Sequence, residues 1–144
     1  MEIAAISERP IEEVYQQFLK INEWWDGDHS WFGSATNFYI EPRVGGCFCE
    51  VDGDKQAQHM IVTFIEPNKE IRMLGGLGPL QMMGVSGAMS WAFSVDKSGA
   101  TQITHRYTVS GYHKDGLDKL APIVDSVQGS QVARLVEKLA QSLN

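Results

Sequence analysis

The feature that most constrains this chain is a change of hydrophobic period, from near 3.6 at its two ends to near 2 between them. From Ser30 to Ser110 apolar and polar residues alternate in short runs, broken by clusters of Gly, Pro, Asn and Asp. That is the pattern of half-buried strands joined by tight turns. It predicts strands over 36–40, 45–51, 58–65, 70–74, 85–95 and 101–110. Asp52-Gly53-Asp54-Lys55 is a strong hairpin signal, and Glu66-Pro67-Asn68-Lys69 and Asp96-Lys97-Ser98-Gly99 make further turns. Consecutive hairpins of this kind imply an antiparallel meander. Gly75-Gly76-Leu77-Gly78-Pro79 is too rich in breakers for a strand and reads as a loop.

The two ends read as helix-bearing. A short strand over 2–7 leads to Pro10, Glu12 and Glu13, which suit a helix start, and Ile11, Val14, Phe18 and Ile21 form one apolar stripe. Trp24-Trp25-Asp26-Gly27-Asp28 ends that helical region. At the other end Leu120, Val124, Val127, Gln131, Leu135 and Leu139 share a stripe within 117–143. A helix of that length spans over ~30 Å, about the diameter of a domain this size. Pro122 and Gly129 predict a broken first turn and a bend. The expected class is α+β: a curved antiparallel sheet of about six or seven strands, wrapped around the long C-terminal helix, with two short helices after the first strand. Residues 1–144 form one domain, since no linker, repeat or composition break divides them. A curved sheet around one helix leaves a gap suited to a ligand.

Composition excludes several classes. With 43% apolar and 21% charged residues, the chain matches a globular domain rather than a disordered one. A net charge of −6, with no basic stripe, argues against nucleic acid as a partner. No window approaches the run of about eighteen apolar residues that a membrane helix needs, so membrane insertion is not expected. Met1-Glu2-Ile3-Ala4-Ala5-Ile6 has neither a basic nor an apolar leader region, which points to the cytoplasm for the chain as written. No nucleophile elbow, Walker pattern or dinucleotide fingerprint is present, and no cofactor is expected. Cys47 and Cys49 are two residues apart, about 6.5–7 Å on a regular strand, which predicts reduced thiols.

Several segments carry a family resemblance: Arg9-Pro10-Ile11-Glu12-Glu13-Val14-Tyr15, Trp24-Trp25, Gly45-Gly46-Cys47-Phe48, the run from Val62 to Pro67, Trp91-Ala92-Phe93 and Gly99-Ala100-Thr101. Over nearly the entire chain these resemble the START-like superfamily, also called SRPBCC or polyketide cyclase, and within it the branch related to activators of the heat-shock ATPase. His29-Ser30, Cys47-Phe48-Cys49-Glu50, His59-Met60, Gly76-Leu77-Gly78-Pro79-Leu80-Gln81 and Val124-Asp125 look like an uncharacterised bacterial subgroup of it. The resemblance implies the helix-grip fold. Because that subgroup commonly carries a leader and a longer first strand, it also implies a periplasmic or exported domain if a leader has been trimmed. It implies no single reaction, since such folds host binders, cyclases and co-chaperones.

Inward positions of the expected sheet and helix supply the candidate ligand-binding residues: Trp25, Trp31, Phe48, His59, Met73, Leu80, Met82, Trp91, Phe93, Ile103, His105, Tyr107, Val124, Val127 and Gln131. His105 and Tyr107 are also the candidate catalytic pair, because a buried His beside a Tyr can polarise a carbonyl or move a proton; they equally suit a hydrogen-bonded polar spot in an apolar wall. In a regular hairpin, Phe48, Glu50 and His59 share one face while Cys47, Cys49, Gln58 and Met60 share the other. The thiols and the imidazole are then split, so no metal site is expected. Trp24, Trp25, Trp31 and Phe38 suit either a cavity mouth or ordinary packing, and the methionines an adaptable apolar interior.

Three functions fit these residues. The first is binding of a small hydrophobic molecule between sheet and helix, by a monomer or weak dimer. The second is a cyclase or hydrolase using His105 and Tyr107, with Glu50 or His59 in support. The third is a co-chaperone-like interaction module.

Overall fold

The computed structural model describes residues 1–141. Strand β1 (Glu2–Ser7) leads into helix α1 (Ile11–Leu19) and three 3-10 turns (Ile21–Glu23, Gly27–His29, Ala35–Asn37). Six strands follow: β2 (Phe38–Ile40), β3 (Cys47–Asp52), β4 (Lys55–Glu66), β5 (Glu70–Gly75), β6 (Ser86–Val95) and β7 (Thr101–Ser110). A 3-10 turn at Gly78–Leu80 lies between β5 and β6, and helix α2 (Leu117–Gln141) ends the described chain. The seven strands among the described residues pair in the order β1-β7-β6-β5-β4-β3-β2, every neighbour antiparallel. The result is a meander with β1 added beside β7, curled into a half-barrel with the long helix against it. The class is α+β, with the helix-grip layout that the sequence predicts.

Alternation decides which side chains face the helix. On β7, Thr101, Ile103, His105 and Tyr107 are buried, and on β6 Met89, Trp91 and Phe93 are buried opposite them. Trp91 pairs with His105, Phe93 with Ile103 and Met89 with Tyr107, so all of these share the inner face. Val14, Tyr15 and Phe18 of α1 close one end of this core. Phe18 rests on Trp91 and Phe93 with ring centroids at 5.1 and 5.5 Å. Burying each such apolar side chain is worth about 1.5–3 kcal/mol over leaving it exposed.

On β4 the alternation changes phase. Ala57 and His59 point inward, yet so do Met60 and Val62, because the register with β3 shifts between Phe48 and Cys49. Phe48 pairs with Met60 and Cys49 with Gln58, leaving His59 as the extra residue of a β-bulge. Met60 therefore joins Phe48, Glu50 and His59 on the inner side, whereas strict alternation puts it on the other face.

Cys47 and Cys49 are joined as a disulfide, which corrects the expectation of free thiols. Their Cα atoms lie 5.4 Å apart, inside bridging range and well short of regular strand spacing. The contraction coincides with the register shift at Phe48 and Cys49.

Helix α2 runs unbroken through both Pro122 and Gly129, against the expected break; Leu143, included in the expected helix, lies outside the described residues. Pro122 removes one amide near the helix start, on an exposed side where nothing else depends on it. The two halves of α2 differ in burial. Gln128, Gln131, Val132, Leu135 and Leu139 are buried, while Leu117, Leu120, Val124 and Val127 are only half-buried.

Candidate functional site

The half-buried start of α2 stands over a pocket of about 410 Å³. Leu120, Ile123, Val124 and Val127 form its roof, with Gln128 one turn beyond Val124. Trp25 and Trp31, from the chain between α1 and β2, and Phe38, at the start of β2, form one side, and Leu77, Pro79, Leu80 and Met83 another. Its volume falls in the range usual for small-molecule pockets, and its lining is mostly apolar with a few polar groups.

The loop carrying Leu77 and Leu80 is tied down by Tyr107, whose hydroxyl donates to Gly75 O at 3.0 Å and accepts from Leu77 N–H at 3.1 Å. Gly76 makes the tight path possible, since a Cβ there would lie 2.4 Å from Val85 O. Tyr107 thus borders the pocket, yet its oxygen is occupied holding the loop. Burial pushes its phenol above the usual range, so it is a hydrogen-bonded fastener and not a ready proton source.

The polar corner of the pocket is built on the bulge. Glu50 is wholly buried and His59 is 3% exposed, with His59 Nε2 at 2.9 Å from Glu50 Oε1. Ser30 Oγ–H donates to Glu50 Oε2 at 2.6 Å, and Trp31 N–H donates to Oε1 at 3.0 Å. The direction of the Ser30 bond is fixed because its Oγ already accepts from Phe32 N–H and Ser34 N–H. Glu50 is therefore an acceptor on every side, and His59 gives it Nε2–H. Burial holds the imidazole below its usual pKa, outweighing the opposite pull of the hydrogen bond and charge of Glu50. In the neutral ring Nδ1 is then a bare lone pair. Among the described residues that nitrogen has no hydrogen-bond partner, and neither does buried Trp25 Nε1.

His105 has a different situation. It is wholly buried, stacked on Trp91 with centroids 3.9 Å apart, and outside the pocket lining. Burial pushes its pKa down to about 4, so it is neutral near pH 7. Nδ1 lies 3.1 Å from Ser90 O, which can only accept, so Nδ1 carries the proton. Nε2 lies 2.9 Å from Gln128 Oε1, so a donor for its lone pair requires the Gln128 amide turned end for end, which brings the NH₂ to the same contact. Both nitrogens are satisfied within the protein.

The other sequence-predicted residues divide clearly. Trp25, Trp31, His59, Leu80, Tyr107, Val124 and Val127 line the pocket. Phe48, Met73, Trp91, Phe93 and Ile103 are buried core outside that lining. Met82 is 86% exposed on the loop after Leu80, away from any interior position. Gln131 ties α2 to the Asp26 loop, accepting from Asp26 N–H at 2.9 Å and donating to His29 Nδ1 at 3.1 Å. Sequence reading raised Phe38 only as part of a possible cavity mouth, and did not select Ser30, Leu77, Met83, Ile123 and Gln128. Gln128 could have been found, since it lies four residues after Val124 on the same helix face. Among the described residues no three His, Cys, Asp or Glu side chains converge as a metal cluster.

No protein-family model matches the chain, and no curated protein is found similar to it in sequence. Solved structures do match over almost its whole length. An uncharacterised protein from Rhizobium leguminosarum superposes with a TM-score of 0.65 at 17% identity, covering 98% of this chain and 93% of its own. The Aha1 dimer from Colwellia psychrerythraea gives 0.63 at 15% identity, with 96% and 94% covered. DynU16, from the dynemicin biosynthetic locus, gives 0.65 at 14% identity; 99% of this chain is covered, but it spans only 47% of DynU16. The fold is START-like. At these identities the likeness establishes the START-like fold alone. Within that frame, the pocket lies between the curled sheet and the first half of α2, and no helix among the described residues is long and apolar enough to cross a membrane.

Proposed function

We propose that this START-like domain binds a small apolar or aromatic molecule between its sheet and the first half of α2. The observation that carries the reading is the uneven burial of α2, packed onto the sheet from Gln128 onward but held off it from Leu117 to Val127 by the pocket. An amphipathic helix with nothing to cover beneath it would close down onto the sheet, because apolar area left out of contact costs about 25 cal/mol per Å². Aromatic walls at Trp25, Trp31 and Phe38 suit a flat ligand, and Met83 and Leu77 at the loop supply adaptable contacts. Titration with an apolar fluorescent dye tests this directly. Saturable one-to-one binding that is lost in Val127→Trp, which fills the space from the roof, supports the reading. Binding unchanged by that substitution puts the ligand elsewhere.

The enzyme reading moves to a different residue. His105 has both nitrogens engaged and lies outside the pocket lining, whereas His59 borders the pocket with one nitrogen buried and without a hydrogen-bond partner among the described residues. A general base needs an accessible lone pair within reach of substrate; His59 Nδ1 is buried here, so acid–base chemistry through His59, oriented by Glu50, would need a side-chain movement that uncovers it.

A further inference from the structure

We propose that the guest this pocket selects is an amphipathic amine, an apolar or aromatic body under α2 whose protonated amino group sits at the rim on the Asp28 side. The inference deepens the binding reading above and rests on it. Its basis is the charge of the walls. Three segments frame the cavity, 25–38, 77–83 and 120–128, and they carry Asp26, Asp28 and Asp125 but no lysine or arginine. Asp28 is the one carboxylate among the described lining residues. It is exposed, and its side chain has no hydrogen-bond or ion-pair partner among the described residues. A second negative charge stands behind the wall. Glu50 is wholly buried against His59, and its donors are a hydroxyl, a backbone amide and that imidazole, so no cation among the described residues balances it.

That charge pattern narrows the guest. The imidazoles of the lining supply no cation: burial holds His59 below its usual pKa, and His29 accepts from Gln131 Nε2–H through Nδ1, which leaves its single proton on Nε2. A carboxylate guest, such as a fatty acid, would therefore enter an apolar cavity with like charge around it and nothing to pair with. A neutral guest gains nothing from the walls beyond burial. An ammonium is attracted by Asp28 and by the weakly screened charge of Glu50. Trp31 lines the same cavity with 44% of its surface exposed, and an indole face also attracts an ammonium. The chain's net charge of −6 favours the approach of cations from solution.

The test compares three probes of similar shape, 2-naphthylmethylamine, 2-naphthylmethanol and 2-naphthoate, each displacing the bound dye from the full chain near pH 7, where the amine is protonated and the acid ionised. The amine is expected to bind about fivefold more tightly than the alcohol or better, and the naphthoate more weakly than both. In Asp28→Asn the advantage of the amine over the alcohol should fall to about twofold or less. Salt gives a second readout on the wild-type protein. Raising the ionic strength from ~0.01 M to ~1 M shortens the screening length from about 30 Å to about 3 Å and should remove most of that advantage. An alcohol that binds as tightly as the amine, or an amine preference that survives Asp28→Asn or high salt, overturns the amine seat and leaves the apolar pocket standing. Binding of none of the three removes both.

Discussion

Glu50 shows how much can depend on one buried carboxylate. It accepts from Ser30, Trp31 and His59, and so holds the segment before β2 against β3 and β4 while fixing the tautomer of His59. Glu50→Gln preserves shape but turns an NH₂ toward Ser30 Oγ, whose lone pairs already accept from Phe32 and Ser34. A loss of about 1–3 kcal/mol in urea unfolding is expected, the cost of a buried group left unsatisfied; an unchanged midpoint would contradict the acceptor assignment. His105 makes a separate prediction through its protons. Its folded pKa of about 4 lies below the ordinary imidazole value, so the unfolded chain binds the extra proton between those two values. Stability is therefore full above pH 7 and falls as pH drops through that window, by about 2 kcal/mol at pH 5 from this residue. His59, shifted in the same direction, adds to the fall. His105→Asn, which keeps a donor for Ser90 O, should flatten the profile between pH 7 and 5; an unchanged slope would place the titration elsewhere.

At the scale of elements, the chain is legible wherever period and packing agree. The limits of β7 follow from its alternation alone, and β5 and β6 shift by a residue at one end. The His105 and Trp91 pairing follows in the same way. The bulge at His59 was not legible, because one extra residue leaves no mark in composition. Inserting it turned both His59 and Met60 inward, and with it the polar corner of the pocket. The disulfide escaped for a related reason: regular strand spacing does not describe β3 beside the register shift. Helix α2 was legible as a stripe, but not its standing off the sheet, which depends on how far the sheet curls. Gly129 offers a test of this helix. A Cβ there would meet only Ile3 Cδ1, at 3.8 Å, so Gly129→Ala fills open space without a clash. It should raise stability by about 1 kcal/mol, the difference in helix propensity. A loss of stability in urea titration would mean that the contact between α2 and β1 is tighter than this geometry.

For the molecule as a whole, the sheet, α1 and the second half of α2 form a packed scaffold, while the first half of α2 and the loop fastened by Tyr107 enclose the pocket. This division separates stability from binding. Tyr107→Phe should cost about 1–2 kcal/mol by releasing the Gly75 and Leu77 hydrogen bonds, and it should speed dye exchange in stopped-flow traces by loosening one wall. The same release rate in both proteins would show that the loop does not control access. The central claim is that a guest lies under the first half of α2, and native mass spectrometry of the intact chain with added 2-naphthol tests it most directly. The account predicts a single saturable one-to-one adduct that vanishes on denaturation and is lost in Val127→Trp. A bare protein mass at saturating 2-naphthol, or an adduct that persists in Val127→Trp, would contradict it.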